Sequence, residues 1–263
     1  MNRKAVFFDI DGTLLVLGRP VLQSTIDAIR KIRENGHLAF ICTGRSRVMV
    51  PQTPILDIGF DGIVGACGMY GEFQGKEAFR YSLSGKQLEE MISLFRKYGI
   101  MYILEGTEYI YYDEETVDDI ADDWYLQYVN ETIPQRFLPV QKVKTIEACK
   151  ASIHARTSDP GELYKSLSRN YEVMEHVFGV AEFVPKGFSK AKGISLMCER
   201  LGIDVADTIA VGDSINDVDM LKHAGIGICM GNGSEPAKEC ADYITTDIFE
   251  DGIYHAMEHF GLL

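Results

Sequence analysis

The chain begins with a short apolar run that leads directly into two aspartates, and this stretch constrains the fold more than any other. Residues 5–8 read Ala-Val-Phe-Phe, and Asp9, Asp11 and Gly12 follow within four positions. A run that is apolar at every position predicts a strand buried on both faces, as in a parallel sheet covered by helices. Ligands of such sheets bind beyond the carboxyl ends of the strands. We therefore expect a functional site close to residues 9–13.

The two carboxylates of this stretch indicate what the site binds. Asp9 and Asp11 lie two positions apart, so they share a face if the chain stays extended. Neighbouring carboxylates repel unless a cation or a proton lies between them. This favours a hard divalent ion, and Mg²⁺ suits oxygen ligands beside a phosphate. Gly12 permits a tight turn with free backbone amides. The alternative is an ordinary strand end followed by an Asp-Gly turn.

A second apolar run is predicted to end at the same edge of the sheet. Residues 21–35 have helical spacing, and residues 38–42 form a short apolar run that stops at Thr43, Gly44 and Arg45. Strand, helix and strand at this spacing predict a right-handed parallel crossover, which would place Thr43 near Asp9. The Thr43 hydroxyl and the Gly44 amide are suited to bind a phosphate oxygen. The alternative for Thr43 is a helix N-cap.

Two later stretches carry further candidate residues. Lys190 lies in the first turn of a predicted helix, where a cation is unfavourable unless an anion is nearby. A surface lysine is the alternative, and Lys192 is a competing candidate. A buried strand at 208–211 is predicted to end in the string GDSIND at 212–217, which places two carboxylates and an amide in one turn. The alternative there is an acidic loop with helix caps.

These four stretches resemble, in order, the four motifs of the haloacid dehalogenase-like (HAD) hydrolase superfamily. The string DIDGT at 9–13 is similar to the first motif, Thr43 to the second, Lys190 to the third and GDSIND to the fourth. The longer string TGR at 43–45 resembles the Cof-type (type IIB) branch, and the resemblance spans the full length. The chain departs from that branch at Cys67, where Asn is usual, and at Ala191, where Gly is usual.

The resemblance implies a role for each matched residue. Asp9 would be the nucleophile that forms an aspartyl-phosphate, and Asp11 would be the general acid and base. The implied catalytic residues are Asp9, Asp11, Thr43 and Lys190. The implied phosphate- or substrate-binding residues are Gly12, Thr43, Gly44, Arg45, Lys190 and Asn216. The resemblance implies a Mg²⁺ site formed by Asp9, Asp213, Asp217 and the backbone carbonyl of Asp11. Within this site, Asp217 and Asn216 would act from beside the ion.

The parallel pattern is interrupted between the second and third motifs. Residues 82–185 alternate helical and strand-like runs in a manner typical of an α+β module. We therefore predict an α/β fold, with a Rossmann-like parallel-sheet core at 1–81 and 186–263 and an inserted α+β cap at 82–185 that determines substrate specificity. Within the cap, the acidic residues of 113–123 predict a solvated helix face, with a metal site as the alternative.

Composition excludes several classes of partner. The 263 residues have a formal net charge of −13, which disfavours nucleic acid and anionic membranes. No apolar run approaches the roughly 20 residues that span a bilayer, and the N-terminus does not resemble a secretory signal. Six cysteines without a CxxC pair predict reduced core thiols rather than disulfides or a zinc site. We expect a cytoplasmic protein, monomeric or homodimeric.

Three functions are compatible with the sequence. The leading one is a Mg²⁺-dependent phosphatase of small phosphorylated metabolites, such as sugar phosphates or a phosphorylated cofactor. The second is a phosphomutase that uses the same aspartyl-phosphate. The third is a non-enzymatic sensor, which is disfavoured because every residue needed for turnover, including Asp11, is present.

Overall fold

The chain divides into two compact units. The computed structural model describes residues 3–117, 119–155, 159–176 and 179–263. The first unit, here called the core unit, comprises Met1–Gly44, Val50–Arg80 and Phe188–Leu263. The second, here called the insert unit, comprises Arg45–Met49 and Tyr81–Gly187. Each unit has its own hydrophobic core.

The helices and strands follow one another along the chain in three groups. The first group, in the core unit, is β1 (Ala5–Phe8), α1 (Gln23–Glu34), β2 (Leu38–Cys42), β3 (Gly62–Gly65), β4 (Tyr70–Phe73) and β5 (Lys76–Arg80). The second group, in the insert unit, is α2 (Gly85–Tyr98), β6 (Met101–Glu105), β7 (Ile110–Tyr112), α3 (Trp124–Thr132), β8 (Phe137–Pro139), β9 (Lys150–His154), α4 (Gly161–Leu167), β10 (Tyr171–Glu175) and β11 (Val180–Pro185). The third group, again in the core unit, is α5 (Lys190–Leu201), β12 (Thr208–Gly212), α6 (Val218–His223), β13 (Ile226–Cys229), α7 (Glu235–Cys240), β14 (Tyr243–Ile244) and α8 (Gly252–His259).

The core unit is built on an eight-stranded sheet with β1 near its centre. The strand order is β14-β13-β12-β1-β2-β3-β4-β5. The strands from β14 to β3 are parallel, so the predicted parallel-sheet fold is confirmed. An antiparallel hairpin of β4 and β5, which the sequence pattern does not predict, lies at one edge. Its two-residue turn, Gln74 and Gly75, has positive φ at both positions, which is the geometry that suits tight hairpins.

Strand β1 is apolar at every position because helices cover both faces of the sheet. Val6 and Phe8 belong to the core shared with α1 and α8. Ala5 and Phe7 belong to the core on the other face, with α5, α6 and α7. Phe7 also stacks on Phe40 of β2, with ring centroids 4.8 Å apart. This packing fixes the strand whose end carries the first pair of aspartates.

The insert unit is built on a separate six-stranded sheet. Its order is β10-β11-β9-β6-β7-β8, and all neighbouring pairs are antiparallel except β7 with β8. Helices α2 and α4 pack on one face, and α3 packs on the other. Among the described residues, no helix is long and apolar enough to cross a bilayer.

The prediction of a solvated helix face for the acidic stretch is right for the exposure of four acidic residues and wrong for the helix and for two others. The exposed ones are Glu114, Glu115, Asp119 and Asp122, and Asp118 lies outside the described residues. Helix α3 begins only at Trp124, after the stretch, and two of the acidic side chains are buried rather than solvated. Asp123 caps α3 by accepting from the amides of Tyr125 and Leu126. Asp113 accepts hydrogen bonds from Arg96 at 2.7 Å and from the Tyr102 hydroxyl at 2.6 Å. Each carboxylate is buried because nearby donors replace its water.

Asp113 provides a stability test for the insert unit. Burial raises its pKa, but the hydrogen bonds from Arg96 and Tyr102 outweigh burial and hold the pKa below 3.8. Asp113→Asn removes the charge that Arg96 pairs with, so we expect urea denaturation at pH 7 to show a loss of about 2 kcal/mol in the free energy of unfolding. A depressed pKa gives stability that is complete above the unfolded value and lost as pH falls through the folded one. The difference between the two proteins should therefore shrink as pH falls below 3.8.

A matched control is Asp57→Asn. Asp57 is exposed and accepts a hydrogen bond from Gln52 at 2.7 Å, so the change should alter the denaturation midpoint little. Equal losses in both variants would contradict the inference that the buried Asp113 network stabilises the insert unit.

Candidate functional site

Asp9 and Asp213 lie at the carboxyl ends of two neighbouring strands. The Asp9 amide donates to the Val211 carbonyl at 2.9 Å, which continues the pairing of β1 with β12 by one residue. Asp213 directly follows β12. The sheet therefore brings together two carboxylates that are 204 positions apart in the sequence. Asp9 is buried, with 3% of its surface exposed.

Lys190 joins this group from the first turn of α5. Ser189 caps the helix by accepting from the Lys192 amide. The Lys190 Nζ atom lies 2.6 Å from Asp9 Oδ1 and 2.5 Å from Asp217 Oδ1, and all three side chains are buried. Burial alone would lower the pKa of Lys190, but Asp217 and Asp9 outweigh it and raise the pKa well above its ordinary value. The lysine is therefore a fixed cation between two carboxylates, and a surface position for it is ruled out.

Three carboxylates converge closely enough to bind a metal ion. One oxygen from each of Asp9, Asp213 and Asp217 lies within 4.8 Å of the others. Three carboxylates and the single Lys190 ammonium leave two negative charges uncompensated. An oxygen-only donor set with this charge fits a hard divalent cation such as Mg²⁺. The residues present are therefore compatible with the metal that the sequence analysis predicted.

The backbone of the 212–217 loop holds Asp217 in place. Asp217 Oδ2 accepts from the amides of Asp213 and Ser214, both at 2.9 Å. Gly212 is needed here, because a Cβ atom at this position would lie 2.6 Å from the Asp217 side chain. These bonds use one oxygen of Asp217 and leave the other for Lys190. This arrangement explains why a string of this composition forms a tight loop.

The first loop approaches Asp213 closely. The Thr13 hydroxyl donates to Asp213 Oδ1 at 2.8 Å. Gly12 has a φ of 90°, and a Cβ atom there would lie within 2.8 Å of three atoms of the Asp213 carboxylate. Only glycine permits this approach. Gly12 is among the predicted site residues, whereas Thr13 is not, although it belongs to the same string DIDGT.

Burial and mutual repulsion shift the acidity of these carboxylates. Burial, followed by the charge of Asp217, raises the pKa of Asp9 well above its ordinary value. The same two causes raise the pKa of Asp213 to about 6. A bound cation would favour the ionised forms and oppose both shifts. The cluster is therefore unfavourable for the metal-free fold, which is typical of a site built to bind a cation.

The remaining predicted residues are placed as follows. Asp11 is exposed, and its side chain is outside the three-carboxylate group found among the described residues. Thr43 is buried, and its backbone pairs with Val64 and Cys67. Asn216 Oδ1 accepts from the Ser214 hydroxyl at 2.5 Å, a contribution of Ser214 that sequence reasoning missed.

Gly44 and Arg45 lie on either side of the division between the two units. Gly44 ends the first segment of the core unit and is half-buried. Arg45 belongs to the insert unit, where its Nη1 donates to the Met49 carbonyl at 3.4 Å. The phosphate- or substrate-binding role of Arg45 stays a prediction, as do the roles assigned to the other site residues.

Comparisons with known proteins agree with this geometry. A family model described as haloacid dehalogenase-like hydrolase matches residues 6–257. YkrA from Bacillus subtilis is 30% identical over 281 residues, with both chains fully covered. The 5-amino-6-(5-phospho-D-ribitylamino)uracil phosphatase YitU of the same organism is 26% identical, with 98% of this chain and 97% of YitU covered. The solved structure of the HAD subclass IIB sugar phosphatase BT4131 has a TM-score of 0.82 and 27% identity, covering 99% of this chain and all of the other.

The repulsion within the cluster can be tested on the metal-free protein. Because the pKa of Asp213 is raised to about 6 from 3.8, the penalty for ionising it is absent well below pH 3.8 and complete above pH 7. Asp213→Asn removes this penalty, so the metal-free variant should be about 1–2 kcal/mol more stable than wild type at pH 8, and the two should converge as pH falls below 3.8. Mg²⁺ should then raise the melting temperature of wild type but not of the variant.

The control for this experiment is Asp207→Asn. Asp207 pairs with Lys4 at 2.6 Å on the surface, away from the cluster. This variant should keep the full thermal response to Mg²⁺ and should not gain stability at pH 8. The proposed repulsion is wrong if Asp213→Asn is the less stable protein at pH 8 in the absence of metal.

Proposed function

Because this chain belongs to the Cof-type (subclass IIB) branch of the haloacid dehalogenase-like hydrolases and is a phosphoric monoester hydrolase, we propose that its phosphatase activity depends on Mg²⁺. We also propose that the reaction proceeds through an aspartyl-phosphate on Asp9. The observation that carries the proposal is the buried chain of Asp9, Lys190 and Asp217 beside Asp213. An ordinary structural ion pair does not need a third carboxylate at this distance. A phosphoryl-transfer site does, because it must hold a nucleophile, a metal and a phosphate together.

Mg²⁺ would be held by Asp9, Asp213 and the backbone carbonyl of Asp11, with Asp217 beside it. When bound, the ion would supply positive charge that offsets the charge of the phosphoryl group and the nucleophile. The carboxylate cluster supports this part of the proposal through its oxygen-only donors and its two uncompensated charges.

Asp9 acts as the nucleophile in the first half-reaction. One of its carboxylate oxygens attacks phosphorus, the bond between phosphorus and the leaving oxygen breaks, and an aspartyl-phosphate forms. Lys190, 2.6 Å from Asp9, provides a fixed cation that stabilises the negative charge gathered there. Thr43 and Gly44 orient the phosphoryl group through neutral donors. Because the Asp9 side chain is buried, bulk water is kept away from its carboxylate.

Asp11 moves the protons in both half-reactions. It first gives a proton to the leaving oxygen, and it then takes a proton from the water that attacks the phosphorus of the aspartyl-phosphate. The bond between phosphorus and Asp9 breaks in that second step, and inorganic phosphate is released. The exposure of Asp11 supports this role, because a group that meets both an alcohol and water cannot be sealed in the core.

We propose that the substrates are small phosphorylated metabolites and that residues 82–185 select among them. The sugar phosphatase and the phosphoribitylaminouracil phosphatase among the relatives support a polyhydroxylated substrate class. All the residues assigned to phosphorus chemistry except Arg45 lie in the core unit. This leaves the insert unit, which has its own core, free to vary its contacts with the leaving group.

Two variants distinguish the nucleophile from the general acid and base. Asp9→Asn should abolish phosphate release and form no phosphoenzyme, because an amide is not a nucleophile. Asp11→Asn should slow both steps by roughly 10²–10⁴-fold, but should accumulate phosphoenzyme with an aryl phosphate, whose leaving group needs no proton. Acid quench followed by intact-mass measurement reads both results. Wild type in excess EDTA should be inactive, and full activity there would refute the metal requirement.

Selection by the insert can be tested by removing it. The core unit has two hydrophobic clusters made of its own residues, so we expect it to fold when 82–185 is replaced by a Gly/Ser linker. The shortened protein should hydrolyse an aryl phosphate slowly and should lose discrimination among metabolite phosphates. The measurement is kcat/KM for a panel of phosphates, with circular dichroism to verify folding. An unchanged substrate ranking would locate selectivity in the core unit.

A further inference from the structure

A single turn after β13 contacts both loops that carry the carboxylates. This turn comprises residues 231–234, Gly-Asn-Gly-Ser. The Ser234 amide donates to the Asp213 carbonyl at 2.7 Å. The Asn232 side-chain amide donates to the Gly12 carbonyl at 2.8 Å. The turn therefore joins the 9–13 loop to the 212–217 loop at the positions where both approach the metal-binding cluster.

The turn is sterically fixed in this position. Gly231 donates to the Thr246 carbonyl at 3.0 Å, and a Cβ atom at Gly231 would lie 2.7 Å from the Asp247 amide nitrogen. A Cβ atom at Gly233 would collide with the Cys229 sulfur. Both glycines are required because the turn is packed directly on neighbouring chain. Asn232 is thus presented from a rigid base, although its own side chain is exposed.

Both ends of the Asn232 amide are used. Its Oδ1 accepts from the Ile248 amide at 2.9 Å, while its Nδ2 donates to Gly12. Only one orientation of the amide satisfies a backbone donor on one side and a backbone carbonyl on the other. The bond to Ile248 therefore sets the direction in which Asn232 donates. This makes the Gly12 contact a directed one rather than a chance surface contact.

The orientation of the Gly12 carbonyl affects the positions of its neighbours Asp11 and Thr13. Gly12 donates its own amide to the Leu15 carbonyl at 2.9 Å, and its neighbour Thr13 donates to Asp213. Fixing the Gly12 carbonyl sets the peptide plane between Gly12 and Thr13, and thereby the reach of Thr13 to Asp213. It also limits the movement of Asp11, which directly precedes Gly12.

We propose that Asn232 is a positioning residue for phosphoryl transfer, acting through the Gly12 carbonyl to hold the Asp11 loop in register with Asp213. The inference rests on the proposed function, because it is the metal and the phosphate that require this register. Groups that orient metal ligands in this way typically contribute about 10–100-fold to metal affinity or activity. Asn232 touches neither substrate nor metal in this role.

Two substitutions separate the two hydrogen bonds of Asn232. Asn232→Leu removes both bonds while keeping a similar volume. Asn232→Asp keeps an acceptor for Ile248 but has no amide donor for Gly12. Matched controls are Asn35→Leu and Asn35→Asp, because Asn35 also donates to a backbone carbonyl at 2.8 Å, that of Leu262, outside the cluster.

Three measurements are made on all four variants and wild type. The first is kcat and KM for an aryl phosphate, the second is the Mg²⁺ concentration giving half of the thermal shift, and the third is hydrogen exchange of amides 10–17 without metal. Both Asn232 variants should lose about 10-fold or more in kcat, with a smaller change in KM, and should need more Mg²⁺. Their loop amides should exchange faster. The Asn35 variants should stay within about twofold of wild type in every measurement.

Two results would overturn the proposal. The first is that the Asn232 variants match the Asn35 variants in kcat, in Mg²⁺ response and in hydrogen exchange of amides 10–17. The other is an Asn232→Asp protein that behaves as wild type while Asn232→Leu does not, since the bond to Ile248 would then be the one that matters. Failure of the proposed function would show differently, as a wild-type protein that releases no phosphate. The exchange of amides 10–17 would still report whether Asn232 holds the loop.

Discussion

The buried ammonium of Lys190, held between Asp9 and Asp217, is the interaction on which the site depends. Removing a cation and two anions from water costs several kcal/mol per ion, and attraction at close range is needed to offset that cost. Distances of 2.6 and 2.5 Å provide that pairing. The pairing also requires β1, α5 and the loop after β12 to meet at one point, so the helices on both faces of the sheet must pack correctly before it can form.

The same site also contains repulsion between carboxylates, which opposes folding. Asp213 adds a third carboxylate that Lys190 cannot also neutralise, and its raised pKa shows the resulting repulsion. Gly12 allows the chain to approach Asp213, and Gly212 allows it to approach Asp217, more closely than any other residue would. The core unit therefore maintains an arrangement that is unfavourable without a cation. Hydrogen bonds from backbone amides to Asp217 and from Thr13 to Asp213 hold it together.

The insert unit buries its charges for a different reason. Asp113 is satisfied by Arg96 and Tyr102, and Lys150 lies 2.8 Å from Glu182 and 3.3 Å from Glu105. Each of these carboxylates lies within 3.3 Å of a cation, whereas Asp213 in the core unit accepts from the neutral hydroxyl of Thr13. Burial raises the pKa of Asp113, yet its donors reverse the shift, whereas at Asp213 the shift remains upward. The contrast distinguishes a carboxylate that is stabilised by its donors from one that is destabilised by burial and by the charge of Asp217.

Local patterns in the sequence determined the parallel sheet and the strand ends at Asp9 and Asp213. These features are encoded over a few residues, by an apolar run buried on both faces and by an acidic turn that contains glycine. The choice of Lys190 over Lys192 and the role of each site residue came instead from the resemblance to the four HAD motifs. Three things were decided only by tertiary structure. The burial of Asp113 depends on Arg96 and Tyr102, which are 17 and 11 positions away. The contact of Thr13 with Asp213 spans 200 positions, and that of Asn232 with Gly12 spans 220. Hydrogen bonds between distant segments leave no periodic trace in the sequence, since they depend on where the packed elements bring each side chain.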